Sequence, residues 1–287
     1  MQSTHIEPGA MRAPSVVDVD KGQGLEYWPI TDVTTQRQIE EWSLDEDNSD
    51  LYRGDPQERR KFLAFKSQHL NWHNSRFYFD RLGIPLRGRV LEQGAGCFWL
   101  SSYVSGFPEV EEVVGVELSK DRILAFKDLS AELFPGCRQD KIRYVVGDMH
   151  SLHEPDNSFD LVVSDAVLHH ADNIVTMLRE SWRVLKPGGW YVSLREPTIS
   201  NFRLAPPRFH ARYPEDGTAY YYYVDGWKSV FINSWFENVK TAHFMEYGFV
   251  RGRPIPWPAR RLLRAIDLRV HLKLYPKIVI AAQKPRA

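Results

Sequence analysis

From Gly88 onward the chain alternates short β-branched runs with segments whose apolar residues recur at helical spacing. That pattern belongs to βα units laid into a parallel sheet. It predicts strands near Arg89–Gln93, Val113–Leu118, Ile142–Gly147, Leu161–Ala166 and Trp190–Arg195, and helices near Trp99–Val104, Lys120–Phe134 and Asn173–Leu185 between them. Lys186-Pro187-Gly188-Gly189 ends the last of these helices, because proline cannot continue it and glycine permits positive φ. A helix over Gly226–Phe236 and strands at Val239–Tyr247 and Leu274–Gln283 complete the pattern. The fold class expected is α/β, a doubly wound, mostly parallel seven-stranded sheet with helices on both faces, carrying an N-terminal helical cap and inserted lid segments.

Outside that alternation the texture changes. Residues 1–25 read as a poorly ordered lead-in, 26–86 as a helical cap, and 87–287 as the main domain with insertions at about 197–225 and 249–273. In the cap, Asp55-Pro56 suits a helix start, and one helix is expected from there to about Leu82. On its wheel Phe62, Leu63, Phe65, Leu70, Trp72 and Phe77 share one half with His69 and His73. The first insertion is rich in Pro, Arg and Tyr and ends in Tyr220-Tyr221-Tyr222-Tyr223; the second carries six arginines between Arg251 and Lys273, with a basic helix expected at Ala259–Leu268.

Composition narrows the function classes. The 287 residues balance 37 Lys+Arg against 37 Asp+Glu, so no overall positive field would hold a nucleic acid. Two cysteines, Cys97 and Cys137, are too few for a disulfide framework and fit the reducing cytoplasm. No run is long and apolar enough for an integral membrane segment, and the first twenty residues do not read as a signal peptide. The sequence leaves open whether the chain acts alone or as a homodimer.

The chemistry starts at Val90-Leu91-Glu92-Gln93-Gly94-Ala95-Gly96, an apolar strand running into an acid and a Gly-x-Gly turn ahead of a helix. Glycines there let the backbone turn sharply and lie close to a ligand. By itself such a turn is also an ordinary strand-to-helix connection. Two more acids follow at strand ends, Glu117 after Val113-Val114-Gly115-Val116 and Asp148 in Gly147-Asp148-Met149. In an open α/β sheet the strand ends line one crevice, so three carboxylates converge.

Across residues 88–196 the sequence resembles the class I S-adenosylmethionine-dependent methyltransferases. The matching segments are those three, Ser158–Val163, Leu168-His169-His170 and Arg183–Gly189. The resemblance implies that Gly94 and Gly96 contact the methionine part of S-adenosylmethionine, that Glu117 with Leu118 at the second strand end binds the ribose, and that Asp148 and Met149 bind the adenine. Glu92 would hold the loop and face the methionine amino group, and Asp165 would close the site. Phe98 departs from the pattern, standing where the family usually has a third glycine. Trp99 occupies the position at which a dinucleotide fold needs its glycine, which disfavours NAD.

The implied reaction moves a methyl group to an O or N atom of a small-molecule acceptor and releases S-adenosyl-L-homocysteine. A general base helps where the acceptor must lose a proton, and His169, His170 and Glu196 are the candidates. The plainer account of the histidine pair is packing and capping, and of Glu196 a solvated loop acid. His69, His73, Tyr221, Tyr223 and Arg208 are candidate acceptor contacts, with Trp227 a further wall and Arg203 and Arg212 further cations; the tyrosine run is equally readable as an ordinary strand. His69 and His73 approach metal-ligand spacing without a third ligand, so no metal is expected. No Asn/Asp-Pro-Pro-Tyr/Phe motif follows the fourth strand, where Ser164-Asp165-Ala166-Val167 stands; this favours a small acceptor over a protein or RNA. A non-catalytic binding protein of the same fold is the remaining alternative, and it would have no need of the three acids.

Overall fold

The computed structural model describes residues 17–30, 54–70, 72–199, 210–212, 220–243, 249–250, 253–254, 256, 258–259 and 277–286. The elements run β1 (Asp18–Asp20), β2 (Leu25–Tyr27), α1 (Pro56–Leu70), a 3-10 turn (Trp72–Asn74), α2 (Arg76–Leu82), β3 (Gly88–Gln93), α3 (Trp99–Ser105), β4 (Val110–Glu117), α4 (Lys120–Leu133), β5 (Ile142–Val146) and β6 (Phe159–Asp165). After further 3-10 turns at Gln139–Lys141, ahead of β5, and Leu168–His170, they continue through α5 (Ile174–Val184), β7 (Leu185–Ile199), β8 (His210–Arg212), β9 (Tyr220–Tyr223), α6 (Val224–Asn233), β10 (Glu237–His243), β11 (Phe249–Val250), β12 (Arg253–Pro254) and β13 (Lys277–Gln283).

The main sheet has the order β1-β2-β5-β4-β3-β6-β7-β13-β10. From β2 to β7 all neighbours are parallel, while β13 and β10 are antiparallel. The seven expected strands are therefore present as β5-β4-β3-β6-β7-β13-β10. Strand order reverses at β3, which sits between β4 and β6, and such a switch point opens a crevice at the carboxyl ends of the strands.

Alternation along each strand feeds two cores. Val90, Val113 and Val163 face the layer that holds Phe79, Leu100 and Phe126, whereas Leu91, Val114 and Val162 face the layer of Met177, Leu178, Trp227 and Phe231. Two of the helices start on side-chain caps: Ser119 accepts from Arg122 N at 3.3 Å ahead of α4, and Asn173 from Thr176 N at 3.1 Å ahead of α5.

Three expectations change. The stretch up to residue 25, expected as a loose lead-in, includes a hairpin whose second strand pairs in parallel with β5, Leu25 opposite Tyr144. The segment is too short to show a period, and buried Leu25 and Trp28 hold it. The single helix expected from Pro56 to Leu82 is broken after Leu70, because Trp72 leaves the helical path to stack on Trp99 at 4.7 Å. Phe65, placed on the apolar half of the wheel, is 63% exposed. Finally, the ends of the expected lid are strand: Thr198 and Ile199 of β7 pair with Tyr222 and Tyr223 of β9. The basic helix expected at 259–268 lies outside the described residues, apart from residue 259.

Candidate functional site

The turn after β3 is built from left-handed residues: φ is 62° at Gly94, 56° at Gly96 and 60° at Phe98. A side chain at Gly94 would strike Val167 at 2.5 Å. One at Gly96 would meet no protein atom closer than 3.9 Å, so the space above Gly96 is open to a ligand. Phe98 does not enter that space. Its fully buried ring points under the loop, packing on Gly115 and against Tyr144 at 5.0 Å. It replaces the expected glycine in backbone conformation while its ring serves the core.

The three acids finish adjacent strands. Glu92, next to the last residue of β3, accepts from Ser101 N at 2.8 Å and from the Ser101 hydroxyl, tying β3 to α3. Burial, with a smaller push from the Glu117 carboxylate, raises its carboxyl to about 8. Glu117 ends β4; its Oε2 accepts from Gly96 N at 2.8 Å and its Oε1 from Ser119 N at 3.1 Å, so the carboxylate reaches across to the glycine turn. Leu118 follows it, half-buried. Asp148, just past β5, accepts from His150 N and pairs with His150 Nδ1, both at 2.8 Å. Gln93 steadies this corner by donating to the Met149 carbonyl at 3.0 Å while accepting from Ser181 at 2.8 Å.

On the other side of β3, Asp165 ends β6. It accepts from Trp99 Nε1 at 2.7 Å and from Arg195 Nε at 2.6 Å, and also pairs with Arg195 Nη2. Glu196 is fully buried, so it is not the solvated acid of the plainer account. Its Oε1 accepts from Val167 N and Leu168 N, each at 3.0 Å, and from the Ser193 hydroxyl at 2.7 Å; its Oε2 meets His169 Nδ1 at 2.9 Å. Burial pushes its carboxyl up, but His169, Ser193 and the Leu168 amide outweigh this and bring it below the ordinary value. A carboxylate so engaged holds the 167–169 turn and Ser193 in place. His169 is the group it orients, and the His170 ring lies 4.0 Å from the His169 ring.

The acceptor candidates scatter. His69 stacks on Phe65 at 5.5 Å on α1. His73, beyond the helix break, rests on Phe134 at 4.7 Å beside a cavity of about 250 Å³ that includes Gly106, Phe107, Gly136 and Cys137. Those residues belong to the turns entering β4 and β5, so His73 borders the end of the sheet away from the acids. Trp227, expected as a wall, is core: it is fully buried and donates to the Pro197 carbonyl at 3.1 Å. Tyr221 and Tyr223 lie on β9, and Tyr223 precedes α6; Arg203 and Arg208 lie outside the described residues. Cys97 is a packing residue, its thiol pushed up to about 11 by burial. Trp99, Arg195, Gln93 and Ser101 were missed, since nothing in their spacing distinguishes them; only Arg195 carries a signal, its place at a strand end.

A methyltransferase domain model matches residues 91–193. Among curated relatives, the chain is 27% identical over 144 residues to a demethylmenaquinone methyltransferase of Bacillus licheniformis, covering 49% of this chain and 58% of that protein. It is 32% identical over 126 residues to an arsenite methyltransferase of Aquipseudomonas alcaligenes, covering 40% and 36% respectively. The chain thus spans less than two thirds of these relatives. A chain from a Haloferax volcanii complex between a methyltransferase activator and a methyltransferase superposes with a TM-score of 0.57 at 16% identity, covering 84% of this chain and 99% of that one. Residues 91–193 thus match a methyltransferase domain, carried on a Rossmann-like sheet, and are similar in sequence to S-adenosylmethionine-dependent methyltransferases.

Proposed function

We propose that the chain transfers a methyl group from S-adenosylmethionine to an O or N atom of a small-molecule acceptor. The observation that carries this reading is the convergence of Glu92, Glu117 and Asp148 at the ends of β3, β4 and β5 around a turn that is open above Gly96. The donor set fits the cofactor: a carboxylate for the ribose hydroxyls, another for the adenine edge, and a buried carboxyl and bare backbone for the methionine part. Glu117, Leu118, Asp148, Met149, Gly94, Gly96 and Glu92 would hold it. When bound, it supplies a methyl group on a positively charged sulfur, open to direct displacement.

The chain's own share is to position the acceptor and exclude water. Where the acceptor must lose a proton, His169 is the base, held in one orientation by Glu196 through Nδ1. The relatives with small molecules in their names, demethylmenaquinone and arsenite, support a small acceptor. The balanced charge and the lack of a membrane-crossing helix among the described residues accord with such a substrate.

Isothermal titration with S-adenosylmethionine and S-adenosylhomocysteine tests the reading; a chain that binds neither is no methyltransferase. Glu117→Ala is expected to weaken both by about 10- to 100-fold, since it removes charge-assisted hydrogen bonds from the ligand. Unchanged affinity would remove Glu117 from the ribose.

A further inference from the structure

Two serines stand in the middle of the sheet, where apolar residues would pack. Ser164 of β6 and Ser193 of β7 are register partners in adjoining parallel strands, and both are fully buried. They belong to a chain of hydrogen bonds sealed from water: the Tyr191 hydroxyl meets Ser164 Oγ at 3.0 Å, Ser164 Oγ meets Ser193 Oγ at 2.8 Å, and Ser193 Oγ meets Glu196 Oε1 at 2.7 Å. Strand alternation would send Glu196 to the face opposite Ser193. A bulge prevents this. β7 takes three steps from Ser193 to Glu196 where its partner β13 takes two, from Ile280 to Ile278, and within those steps Arg195 adopts φ 58°. Buried hydroxyls and a left-handed residue with a β-carbon both cost folding energy, and such costs gather at functional sites.

A hydroxyl has one hydrogen to give, so the carboxylate at the end of the chain sets its direction. Glu196, lowered below its ordinary value despite burial, is ionised and only accepts. Ser193 must then donate to Glu196, Ser164 to Ser193, and Tyr191 to Ser164. Burial, joined by the Glu196 charge, raises the Tyr191 phenol and keeps it a donor. The Val167 and Leu168 amides donate to the same Oε1, each at 3.0 Å, so three donors pin that oxygen. Oε2 meets His169 Nδ1 at 2.9 Å, and an ionised carboxylate bonds that nitrogen only when the nitrogen carries hydrogen. The 167–169 turn lies against the glycine turn of the cofactor side, with Val167 filling the place that a side chain at Gly94 would need.

We propose that Tyr191, Ser164 and Ser193 are positioning residues: they hold Glu196 so that His169 is fixed in the tautomer with hydrogen on Nδ1, which puts the proton-accepting lone pair on Nε2. The acceptor's proton passes to Nε2, Nδ1 keeps its own, and the Glu196 carboxylate balances the imidazolium. That the lone pair serves a methyl acceptor rests on the reading of His169 as the base; the tautomer does not. An unheld histidine side chain favours the opposite tautomer, so the arrangement can be measured.

The test is long-range proton–nitrogen NMR of the full chain carrying isotope-labelled histidine, with the His169 ring identified by its loss in His169→Gln. On the alkaline side of its titration the ring is expected to carry hydrogen on Nδ1. Glu196→Gln should invert the tautomer, because the three donors at Oε1 select the amide oxygen for that position and leave the amide nitrogen to donate to Nδ1. Ser193→Ala should raise the share of ring with hydrogen on Nε2 by about twofold or more, and Ser193→Thr, which keeps the hydroxyl, should return it to the parent value. The proposal is overturned if the parent ring carries its hydrogen on Nε2, if it keeps both hydrogens to the alkaline limit of the fold, or if Glu196→Gln or Ser193→Ala leaves the parent ratio in place. The parent measurement needs no substitution, so it decides the tautomer even where a variant does not fold. Calorimetry with S-adenosylhomocysteine keeps the two readings apart: failure to bind sinks the methyltransferase reading and leaves the tautomer result standing, whereas a wrong tautomer in a chain that binds overturns the positioning role alone.

Discussion

Glu92 and Glu196 are both sealed from water, yet their protons move in opposite directions. Glu92 has one serine against full desolvation and is raised to about 8, whereas Glu196 has a histidine, a hydroxyl and two amides and is lowered from 4.5. The consequences for stability are opposite too. A carboxyl raised in the folded state contributes stability below its unfolded value near 4.5, and loses it as the pH rises to about 8. A carboxyl lowered in the folded state contributes above 4.5, and loses that as the pH falls through its folded value. Urea midpoints measured across pH should therefore show Glu92→Gln flattening the decline between pH 4.5 and about 8, and Glu196→Gln flattening the acid limb. The same profile in both variants would contradict these environments.

At the scale of elements, the β3–α3 turn shows one residue meeting two demands. Phe98 must adopt φ 60° so that the chain can leave the glycine turn, and its ring must fill the space over Gly115, where a β-carbon would come within 2.4 Å of it. Phe98→Ala is expected to lower stability by about 3–5 kcal/mol through the cavity it leaves. Phe98→Gly removes the same ring but also the left-handed strain, worth about 1 kcal/mol, so it should be no less stable than the alanine variant. Denaturant unfolding of the pair checks this; a glycine variant clearly below alanine would mean that φ carries no strain. The cap follows the same logic. Its helix breaks where Trp72 turns to Trp99, a contact that no periodicity within residues 56–82 encodes.

At the scale of the molecule, the N-terminal hairpin extends the sheet beyond β5, beside Asp148. Trp28 N donates to the Val146 carbonyl at 2.9 Å, and its ring covers Gly147 directly before Asp148. Arg143 ties the hairpin down through Glu26 at 2.7 Å and reaches the buried Glu154 at 2.8 Å. Trp28→Ala should therefore lower stability by about 3–5 kcal/mol and also weaken S-adenosylhomocysteine binding, read by calorimetry; a stability loss with unchanged affinity would confine the hairpin to scaffolding. The alternation of apolar runs by itself determined the seven strands, their helices and the turn at Gly94–Gly96, because burial on two faces of a parallel sheet writes a local period into the chain. The acids at the strand ends were legible for the same reason. What only the tertiary structure decided are pairings between residues far apart in sequence: Leu25 with Tyr144, Trp72 with Trp99, Arg195 with Asp165, and Glu196 with His169. Their energy comes from the partner's position in space, and neither residue of such a pair leaves a periodic trace around itself.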